Sequence, residues 1–541
     1  MIDNRKKRRC RSLRLVGERQ ANSPANDIRT SPNVTQSETT ISYFKRYIVM
    51  GFNNSGVTGF SGYAYSNDRG NAWIDGGEVS SVAGSATAGD PVLSVDSEGR
   101  FYYTHLGTTG GNTFIQTSIG IINETTKAVN FNTAIRISNG TNDDKPWGTI
   151  GADFNRPGQE ALYVAWTDFN TNQLMFSQLS TGTNPQVLIA PQSIANEVNF
   201  GANVVVDKDG TIYVFYENRA VTPRTLRMVR STNGGFNFSS PTTVENITPA
   251  FTNIVPVIES GVLVNREVII VELNRKYIRT FEIPSAAIGP DGVIYVVWND
   301  GRNQPTTGDD IYMAYSENKG VNWTLVRVTD NIAHEIQPSV AVDCHGAHIQ
   351  YTRFDASNGT IGLGNSTFAL FKKTFSLENG LGPETMVSTS FSRVPDNGLR
   401  PSGTGNVYTN FDPRVRPFYM GEYNQIIIGP GNTLLHSWSD NRHDPINGNN
   451  PDVFFIQTRS TDPLGNSEPC DCNKHHEHHD CDENNYGNKN KIENEFNPIN
   501  IFAPQITVKC EEKEHCDYHH RRKEHRCCQR YYDGMDYQIM N

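Results

Sequence analysis

This 541-residue chain lacks two features that mark membrane-spanning and classically secreted proteins. No stretch approaches the ~20 consecutive apolar residues that a membrane-spanning helix needs. The segment after the basic run at residues 5–9 also lacks the ~7–15-residue apolar core of a secretory signal peptide. We therefore expect a protein with no membrane span and no classical secretion signal.

Cysteine is nearly missing from most of the chain. Only Cys10 and Cys344 precede Cys470, and the other seven lie between Cys470 and Cys528, together with eight of the 14 histidines. The long region before Cys470 is therefore expected to fold without disulfides, which suits a reducing compartment.

An excess of positive charge is missing as well. The net charge is −10 and the pI is about 5.8, which argues against a nucleic-acid partner. The short basic run Arg5-Lys6-Lys7-Arg8-Arg9 is interpreted as part of a solvated, disordered arm over residues 1–26.

What the chain does contain is one short turn sequence that occurs three times. Its pattern is Ser-x-Asp/Asn-x-Gly-x-x-aromatic, and each copy follows a strand-like run. The three copies consist of Ser66, Asp68, Gly70 and Trp73; Ser231, Asn233, Gly235 and Phe238; and Ser316, Asn318, Gly320 and Trp323. The Asp or Asn can accept backbone N–H bonds, and glycine supplies the positive φ of the turn. These residues are therefore expected to be structural.

A longer repeat covers most of the chain. It consists of an apolar strand, a turn such as Asp-x-x-Gly, and a second strand that ends in an aromatic residue. Seven copies begin at Thr39, Pro91, Trp147, Asn203, Pro284, Pro338 and Tyr423. Repetition of this kind is typical of solenoids and propellers. The sequence predicts an all-β propeller over residues 27–462, with seven four-stranded blades preferred and six possible.

The last repeat unit lacks a fourth strand after Gln457. The segment Asp27–Ser31 resembles the predicted fourth strands of other units, such as residues 134–138. Closing a ring of sheets removes exposed strand edges. We therefore expect Asp27–Ser31 to pair as the outermost strand of the last blade.

The repeated turn resembles the Asp-box, or BNR repeat, of sialidases and related β-propellers. The resemblance covers roughly residues 27 to 461 and implies a sialidase-like propeller. That family binds the substrate carboxylate with three arginines, and it uses a tyrosine activated by a glutamate as nucleophile and an aspartate as acid/base. Its first arginine lies in a Phe-Arg-Ile-Pro motif. The matching stretch here is Phe281-Glu282-Ile283-Pro284, so no catalytic residue is carried over and no efficient sialidase activity is expected.

The alternation of strand directions predicts which face of the ring would carry a site. Turns between the first and second and between the third and fourth strands lie at one end, and the remaining loops lie at the other. The links at residues 246–282 and 389–422 are long, as binding-face loops often are. The candidate ligand-binding residues on this face are Glu217, Arg219, Asp300, Arg302, Asp440, Arg442 and His443. The arginines could bind carboxylate or phosphate; alternatively, acid and arginine pair within each loop.

The segment at residues 463–541 has a different composition. Its candidate metal ligands or cross-linking residues are Cys470, Cys472, His475, His476, His478, His479, Cys481, Cys510, His515, Cys516, Cys527 and Cys528. Thiolate and imidazole could bind zinc or another metal, although no zinc-finger spacing is present. Oxidative cross-linking and a disordered polar tail are the alternatives. In composition the segment is similar to bacterial spore coat and exosporium proteins.

Two functions fit these patterns. The first is a recognition or structural module on a bacterial spore surface or another extracellular surface. It would bind a glycan or a surface-layer protein and associate covalently or through metal by its tail. The second is a glycoside hydrolase of sialidase-like fold, an exo-sialidase or a related enzyme. The missing arginine and the tail favour the non-enzymatic function. A tyrosine and a carboxylate that converge near the ring axis beside two arginines would favour the enzyme.

Overall fold

The computed structural model describes residues 15–28, 33–250, 253–259, 262–272, 276–304, 306–355, 367–394, 400–402, 405–407, 412–443 and 450–466. Within these residues the chain is built almost entirely of β-strands, and one 3₁₀ turn lies at Pro24–Asn26. The described residues contain no helix long and apolar enough to cross a membrane.

Seven antiparallel sheets form the blades, and their strands are called a to d in chain order from the innermost strand. Blade 1 consists of Gln36–Phe44, Tyr47–Asn54, Ser61–Ser66 and Ile74–Glu78. Blade 2 consists of Val92–Val95, Phe101–Thr109, Asn112–Asn123 and Ala128–Arg136, with the short strand Ala86–Thr87 beside its second strand. Blade 3 consists of Asp143–Ala152, Glu160–Asp168, Gln173–Ser180 and Val187–Ala195. Blade 4 consists of Asn199–Val206, Ile212–Asn218, Arg224–Ser231 and Thr242–Ile247.

The remaining blades follow the same order. Blade 5 consists of Ser285–Ile288, Ile294–Asp300, Asp310–Ser316 and Thr324–Arg327. Blade 6 consists of His334–Asp343, Gly346–Phe354 and Thr367–Ser376, and its outer strand is broken into Gly380–Leu381, Thr385–Met386 and Ser392–Arg393. Blade 7 consists of Gln425–Gly429, Thr433–Asp440, Asp452–Arg459 and Arg19–Gln20.

The innermost strands close a ring. Strand a of each blade contacts strand a of the next, and strand a of blade 7 contacts that of blade 1. Separate hydrophobic clusters fill the spaces between neighbouring blades, such as the cluster of blades 3 and 4 around Tyr163 and Tyr216. The molecule is therefore a β-propeller with seven blades, the preferred of the two predicted numbers.

The three repeated turns all connect strands c and d and share one hydrogen-bond pattern. Ser66 Oγ accepts a bond from Gly70 N at 2.8 Å, and Asp68 Oδ1 accepts one from a backbone N–H four residues later at 3.0 Å. The aromatic residue of the turn packs on the preceding blade, as Trp73 does on Phe455, with ring centroids 5.1 Å apart. The other two contacts are Phe238 on Phe176 and Trp323 on Phe215.

A strand near the N-terminus completes blade 7, but it is not the predicted one. Arg19 lies opposite Phe455 in an antiparallel pair with the third strand of that blade. The prediction of Asp27–Ser31 was wrong: Asp27 and Ile28 belong to no strand, and residues 29–32 lie outside the described residues. Ile28 N instead donates to Gly56 O of blade 1 at 2.9 Å.

Part of the predicted N-terminal arm belongs to the ring. Residues 15–26 are described, and Val16 and Ala21 are buried in the cluster that joins blades 7 and 1. Val16 O accepts a hydrogen bond from Gln457 N at 3.1 Å. The described propeller therefore begins upstream of residue 27.

The two long links pair with each other in an additional sheet. The first link contributes Asn253–Glu259, Val262–Glu272 and Lys276–Ile278, and the second contributes Arg400–Ser402 and Gly405–Val407. A short parallel pairing joins them, with Val257 opposite Asn406. This sheet was not predicted, and it fixes the segments that lead from both links to the ring axis.

Cysteine chemistry in the propeller differs from the expectation. Cys344, in the a–b turn of blade 6, is disulfide-bonded to a partner outside the described residues. Of the predicted tail, only residues 463–466 are described. All twelve candidate metal ligands or cross-linking residues of the tail, from Cys470 to Cys528, therefore lie outside the described residues.

Candidate functional site

Charged side chains from distant segments meet on the ring axis. Lys145 at the start of blade 3 contacts Glu38 of blade 1 and Glu422 just before blade 7, which is possible only across the centre of the ring. We call this group the axial cluster. Its members are Glu38, Asp90, Asp144, Lys145, Arg279, Tyr419, Glu422 and Tyr423.

The Lys145 ammonium is the centre of the cluster. Its Nζ lies 2.7 Å from Glu422, 3.2 Å from Glu38 and 3.3 Å from Asp90. It also lies 5.4 Å from the centre of the Tyr423 ring. Its side chain is 9% exposed and that of Glu38 is 1% exposed, so these charges interact with little screening by water.

Unusual backbone conformations direct these side chains inward. Glu38, Asp90, Lys145 and Gln337 have φ between 49° and 55°, and Gly201 has φ 68° at the corresponding place in blade 4. Strand pairing is interrupted by a bulge around four of these positions, in blades 1, 3, 4 and 6. Non-glycine residues rarely adopt this region, and such strain persists at sites where the surrounding structure enforces it.

The carboxyl groups of the cluster have opposite shifts in pKa. Burial raises the pKa of Glu38 to about 8 and that of Asp90 to about 7, although Lys145 lowers both. Burial also acts on Glu422, but the charges of Arg279 and Lys145 outweigh it, and the pKa of Glu422 is lowered. The cluster therefore contains protonated and ionised carboxyl groups at the same pH.

Asp90 and Asp144 interact electrostatically within the cluster. Burial raises the pKa of both carboxyl groups, and that of Asp90 reaches about 7. When Glu38 and Asp90 are protonated, the charges of Asp144 and Glu422 balance those of Lys145 and Arg279. Neutrality of this kind lets a buried group of charges exist without a large desolvation cost.

A tyrosine and an arginine complete the cluster. Asn53 Nδ2 donates to the Tyr419 hydroxyl at 2.7 Å and to Glu38 at 3.0 Å, and the Tyr419 hydroxyl also hydrogen-bonds Glu38. The guanidinium of Arg279 lies 5.1 Å from the centre of the Tyr419 ring and pairs with Glu422.

A second arginine lies within electrostatic range. Arg219 contributes to the lowered pKa of Glu422. A tyrosine and a carboxylate therefore meet at the axis beside two arginines, which is the combination that the sequence analysis associated with an enzyme.

Two of the predicted loops form near-identical braces. In blade 5, Asp300 Oδ2 accepts bonds from Trp298 Nε1 at 3.1 Å and from Arg302 at 2.8 Å. In blade 7, Asp440 accepts from Trp438 Nε1 at 3.1 Å and from Arg442 at 2.5 Å. In these four candidates, Asp300, Arg302, Asp440 and Arg442, the acid and the arginine pair within each loop, which was the alternative to ligand binding in the sequence analysis.

The other predicted residues also have local partners. Arg219 Nε pairs with Glu217 at 2.7 Å, and His443 Nδ1 lies 3.1 Å from Asp452. Among the described residues, no hydrogen bond or ion pair connects the candidate loops of blades 4, 5 and 7 with one another. Only Arg219 acts on the axial cluster.

Glu282, which stands where sialidases have an arginine, is buried and paired. Its carboxylate accepts a bond from Ala250 N at 2.7 Å and from Arg224 at 3.0 Å. Arg224 also bonds Glu217 at 3.0 Å. Glu282 is therefore a partner of Arg224 within the protein, and burial raises its pKa well above the ordinary value.

The sequence analysis did not select the axial residues as candidates, although one signal marks them. Asp90, Lys145 and Gln337 each directly precede a proline at or near the start of an inner hairpin repeat. A polar residue at the same place in several repeats reaches the same place in the ring, because each repeat supplies one innermost strand.

One group of described residues has the spacing of metal ligands. The ligand atoms of Asp343, Cys344 and His345 lie within 4.8 Å of one another. The sulfur of Cys344 is in a disulfide, however, whereas metals bind the thiolate. This group therefore does not fit a metal site.

Comparisons with known proteins give distant similarities. No protein-family model matches the chain, and no curated protein matches it. An endosialidase of phage phi92 is 11% identical, with 83% of this chain and 70% of that chain covered at a TM-score of 0.39. An α-L-arabinofuranosidase of Fusarium graminearum is 10% identical, with 82% and 98% covered at 0.39. An α-L-arabinanase of Penicillium chrysogenum is 12% identical, with 68% and 99% covered at 0.40. Function must therefore be argued from the site.

Proposed function

We propose that the axial cluster is the acid/base site of a glycoside hydrolase. The observation that carries this proposal is the opposite shift of two carboxyl pKa values around one ammonium. Asp90 has a pKa of about 7, and the pKa of Glu422 is lowered. A proton donor and an ionised carboxylate side by side are what hydrolysis of a glycosidic bond requires.

Each carboxyl group has a distinct role in this reaction. Asp90 gives its proton to the glycosidic oxygen as the bond from that oxygen to the anomeric carbon breaks. Water adds to the anomeric carbon and gives a proton to Glu422. The proton then returns to Asp90 across Lys145, which contacts both carboxylates. The negative charge of Asp144 raises the pKa of Asp90 and so helps to keep it protonated until the substrate binds.

The surroundings favour a neutral glycan over a sialoside. Each predicted arginine is already paired with a carboxylate of the protein, which reduces its attraction for a substrate carboxylate. Partly exposed aromatic rings border the cluster, with Trp147 against Tyr423 at 6.5 Å. Sugar-binding sites combine such rings with a few fixed polar groups. We still expect no efficient turnover of sialosides.

The test is hydrolysis of a panel of soluble polysaccharides, measured as release of reducing ends. The panel contains arabinan, xylan, mannan and polysialic acid. Asp90→Asn should lower kcat roughly 10²–10⁴-fold, the usual cost of losing a general acid, while the circular dichroism spectrum stays unchanged. Asp300→Asn alters a buried carboxylate of a loop brace and serves as the matched control. Full activity of Asp90→Asn would contradict the proposal.

A surface-layer location remains a second proposal, and it concerns the tail. The chain has nine cysteines, seven of them between Cys470 and Cys528, and nine cysteines cannot all pair within one chain. The tail would anchor the propeller to a spore coat, an exosporium or a similar layer through disulfides or metal. Non-reducing gels should show high-mass species for the full chain and monomers for a chain that ends at Asp462. Monomers in both cases would contradict the anchor.

A further inference from the structure

A continuous stack of aromatic rings and guanidinium groups leads to the axial cluster from its rim. The stack begins in the b–c loop of blade 3 and ends at the tyrosine of the cluster. We call it the stacked ladder, and its members in spatial order are Phe169, Phe200, Arg219, Phe281, Arg279 and Tyr419.

The spacing of the ladder is regular. The rings of Phe169 and Phe200 are 6.2 Å apart with planes 29° apart. The Arg219 guanidinium lies 4.0 Å from the Phe200 ring centre and 4.8 Å from that of Phe281. Arg279 lies 5.3 Å from the Phe281 ring centre. Each contact is within the range of stacking and cation–π interactions.

Carboxylates fix both guanidinium groups at their edges. Glu217 holds Arg219 at 2.7 Å, and Glu422 holds Arg279. The rings of Phe200 and Phe281 also contact each other edge to face, with centroids 5.1 Å and planes 62° apart. Phe169 is 36% exposed and the side chains of Arg219 and Arg279 are 21% and 15% exposed, whereas Phe200 is 5% exposed. The ladder is therefore a rigid and partly open platform.

We infer that the stacked ladder binds the sugar units of an oligosaccharide chain beside the axial cluster. The substrate is then a chain of several sugars and not a single terminal sugar. This inference rests on the proposed function. The flat apolar faces of sugar rings suit aromatic and guanidinium planes, and the edges of the arginines can donate to hydroxyl groups.

The charges of the ladder distinguish this occupant from a nucleic acid. Bases also stack on such planes, but binding of their backbone needs surplus positive charge. Each arginine of the ladder pairs with a carboxylate, which Glu217 shares with Arg224 and Glu422 shares with Lys145, and the chain carries a net charge of −10. A neutral chain of sugars therefore fits the platform better than a polyanion.

The experiment uses Phe169, the most distant member of the ladder from the cluster. The panel polysaccharide that the wild type cleaves fastest is supplied as its disaccharide and its hexasaccharide. Phe169→Ala should lower kcat/KM for the hexasaccharide roughly three- to tenfold, through KM, as loss of one stacking contact does. Hydrolysis of the disaccharide should stay unchanged.

Two further variants separate stacking from general effects. Phe169→Trp keeps a flat ring and should retain activity on the hexasaccharide. Phe154→Ala removes a similarly exposed ring, 45% exposed, from the a–b turn at the opposite end of blade 3, and it should behave as wild type. Unchanged hexasaccharide kinetics in Phe169→Ala would overturn the ladder, while a loss in Asp90→Asn would still support the hydrolase.

Affinity electrophoresis in gels that contain each panel polysaccharide gives a readout without catalysis. If no polysaccharide is cleaved, the hydrolase proposal fails. Retardation of the wild type, lost in Phe169→Ala, would then still support the ladder. Absence of retardation of the wild type, or retardation by single-stranded DNA alone, would overturn it.

Discussion

The axial cluster and the loop brace of blade 5 are both groups of buried charge, but they are assembled differently. In the brace, Asp300 and Arg302 lie two residues apart and the Trp298 side chain completes the set. In the axial cluster, Glu38 and Lys145 meet from different blades. Ordinary local geometry explains the brace, whereas the cluster needs the whole ring.

The two groups also differ in their charge balance. In the brace, Arg302 pairs with the buried Asp300 at 2.8 Å and lies 3.6 Å from the partly exposed Glu245. In the cluster, four carboxyl groups share two cations, and burial raises the pKa of Glu38 to about 8 and that of Asp90 to about 7. An excess of acid on strained backbone is costly for stability, and such costs are typical of functional sites. The comparison suggests that an acid and an arginine paired within one loop have a structural role. Several acids brought together from distant segments indicate a functional site.

Removal of Lys145, the central cation, should lower the free energy of unfolding more than the other changes. Lys145→Met leaves the carboxylates around it uncompensated, and breaking a buried pair in this way costs ~3–5 kcal/mol. The measurement is urea unfolding at pH 7, repeated at pH 5. At pH 5 the loss should be smaller, because Asp90, with a pKa of about 7, is partly ionised at pH 7 and protonated at pH 5.

The control for this prediction is an exposed pair. Lys319 lies 2.7 Å from Asp209, and both side chains are about half exposed. Lys319→Met should cost less than ~1 kcal/mol because water screens surface ion pairs. Equal costs for the two lysine variants would break the comparison.

The second prediction concerns pH. The pKa of Glu38 rises on folding from 4.5 to about 8, so the folded protein binds more protons than the unfolded chain between these values. Stability should therefore be highest near pH 5 and fall as the pH rises to 8, by at most ~1.4 kcal/mol per pH unit for one such group.

Glu38→Gln tests this dependence directly. The amide replaces a protonated acid of the same shape and cannot ionise, so the fall in stability between pH 5 and pH 8 should become shallower. Part of the fall should remain in this variant, because Asp90 has a pKa of about 7 and still ionises in this range. Urea midpoints at intervals of half a pH unit give both curves, and curves of equal slope would contradict the assignment of the proton to Glu38.

Disruption of a brace should lower stability less than the changes in the axial cluster. Arg302→Met leaves Asp300 with its bonds from Trp298 Nε1 and from the backbone. The change removes the bond to Asp300 at 2.8 Å and one to Asn246 O at 2.6 Å, and a hydrogen bond to a charged group contributes ~1.5–3 kcal/mol. The 24% exposure of the Arg302 side chain favours the lower end. Thermal unfolding measures the cost, and hydrolysis rates should remain those of the wild type; a large loss of activity would assign the brace to the site.

The ring could be predicted because repeats are local patterns. Each inner hairpin can be recognised in the sequence by an apolar strand, a turn such as Asp96 to Gly99, and a second strand with aromatic residues. The turn residues Ser66 and Gly70 likewise act within a few positions of each other. Interactions between residues a few positions apart can be recognised from a sequence.

The closing strand and the site could not be predicted for a shared reason. Arg19–Gln20 is too short to carry a strand pattern, and its place is decided by the unpaired edge of blade 7. Likewise, Glu38 and Lys145 lie 107 residues apart in the sequence, and only the closed ring brings them into contact. Asp300 and Arg302, by contrast, stand together in the sequence and attracted notice.

The pairing of Arg19 with Phe455 has a consequence for the order in which the protein folds. Blades 1 to 6 are each made from one continuous stretch, so each can form its own hairpins early. Blade 7 can be completed only when two segments from opposite ends of the propeller meet, and closing so long a loop is slow. The axial residues can reach their final distances only after this joint has closed. We therefore expect the charged centre to assemble late in folding, after the two ends of the propeller have met.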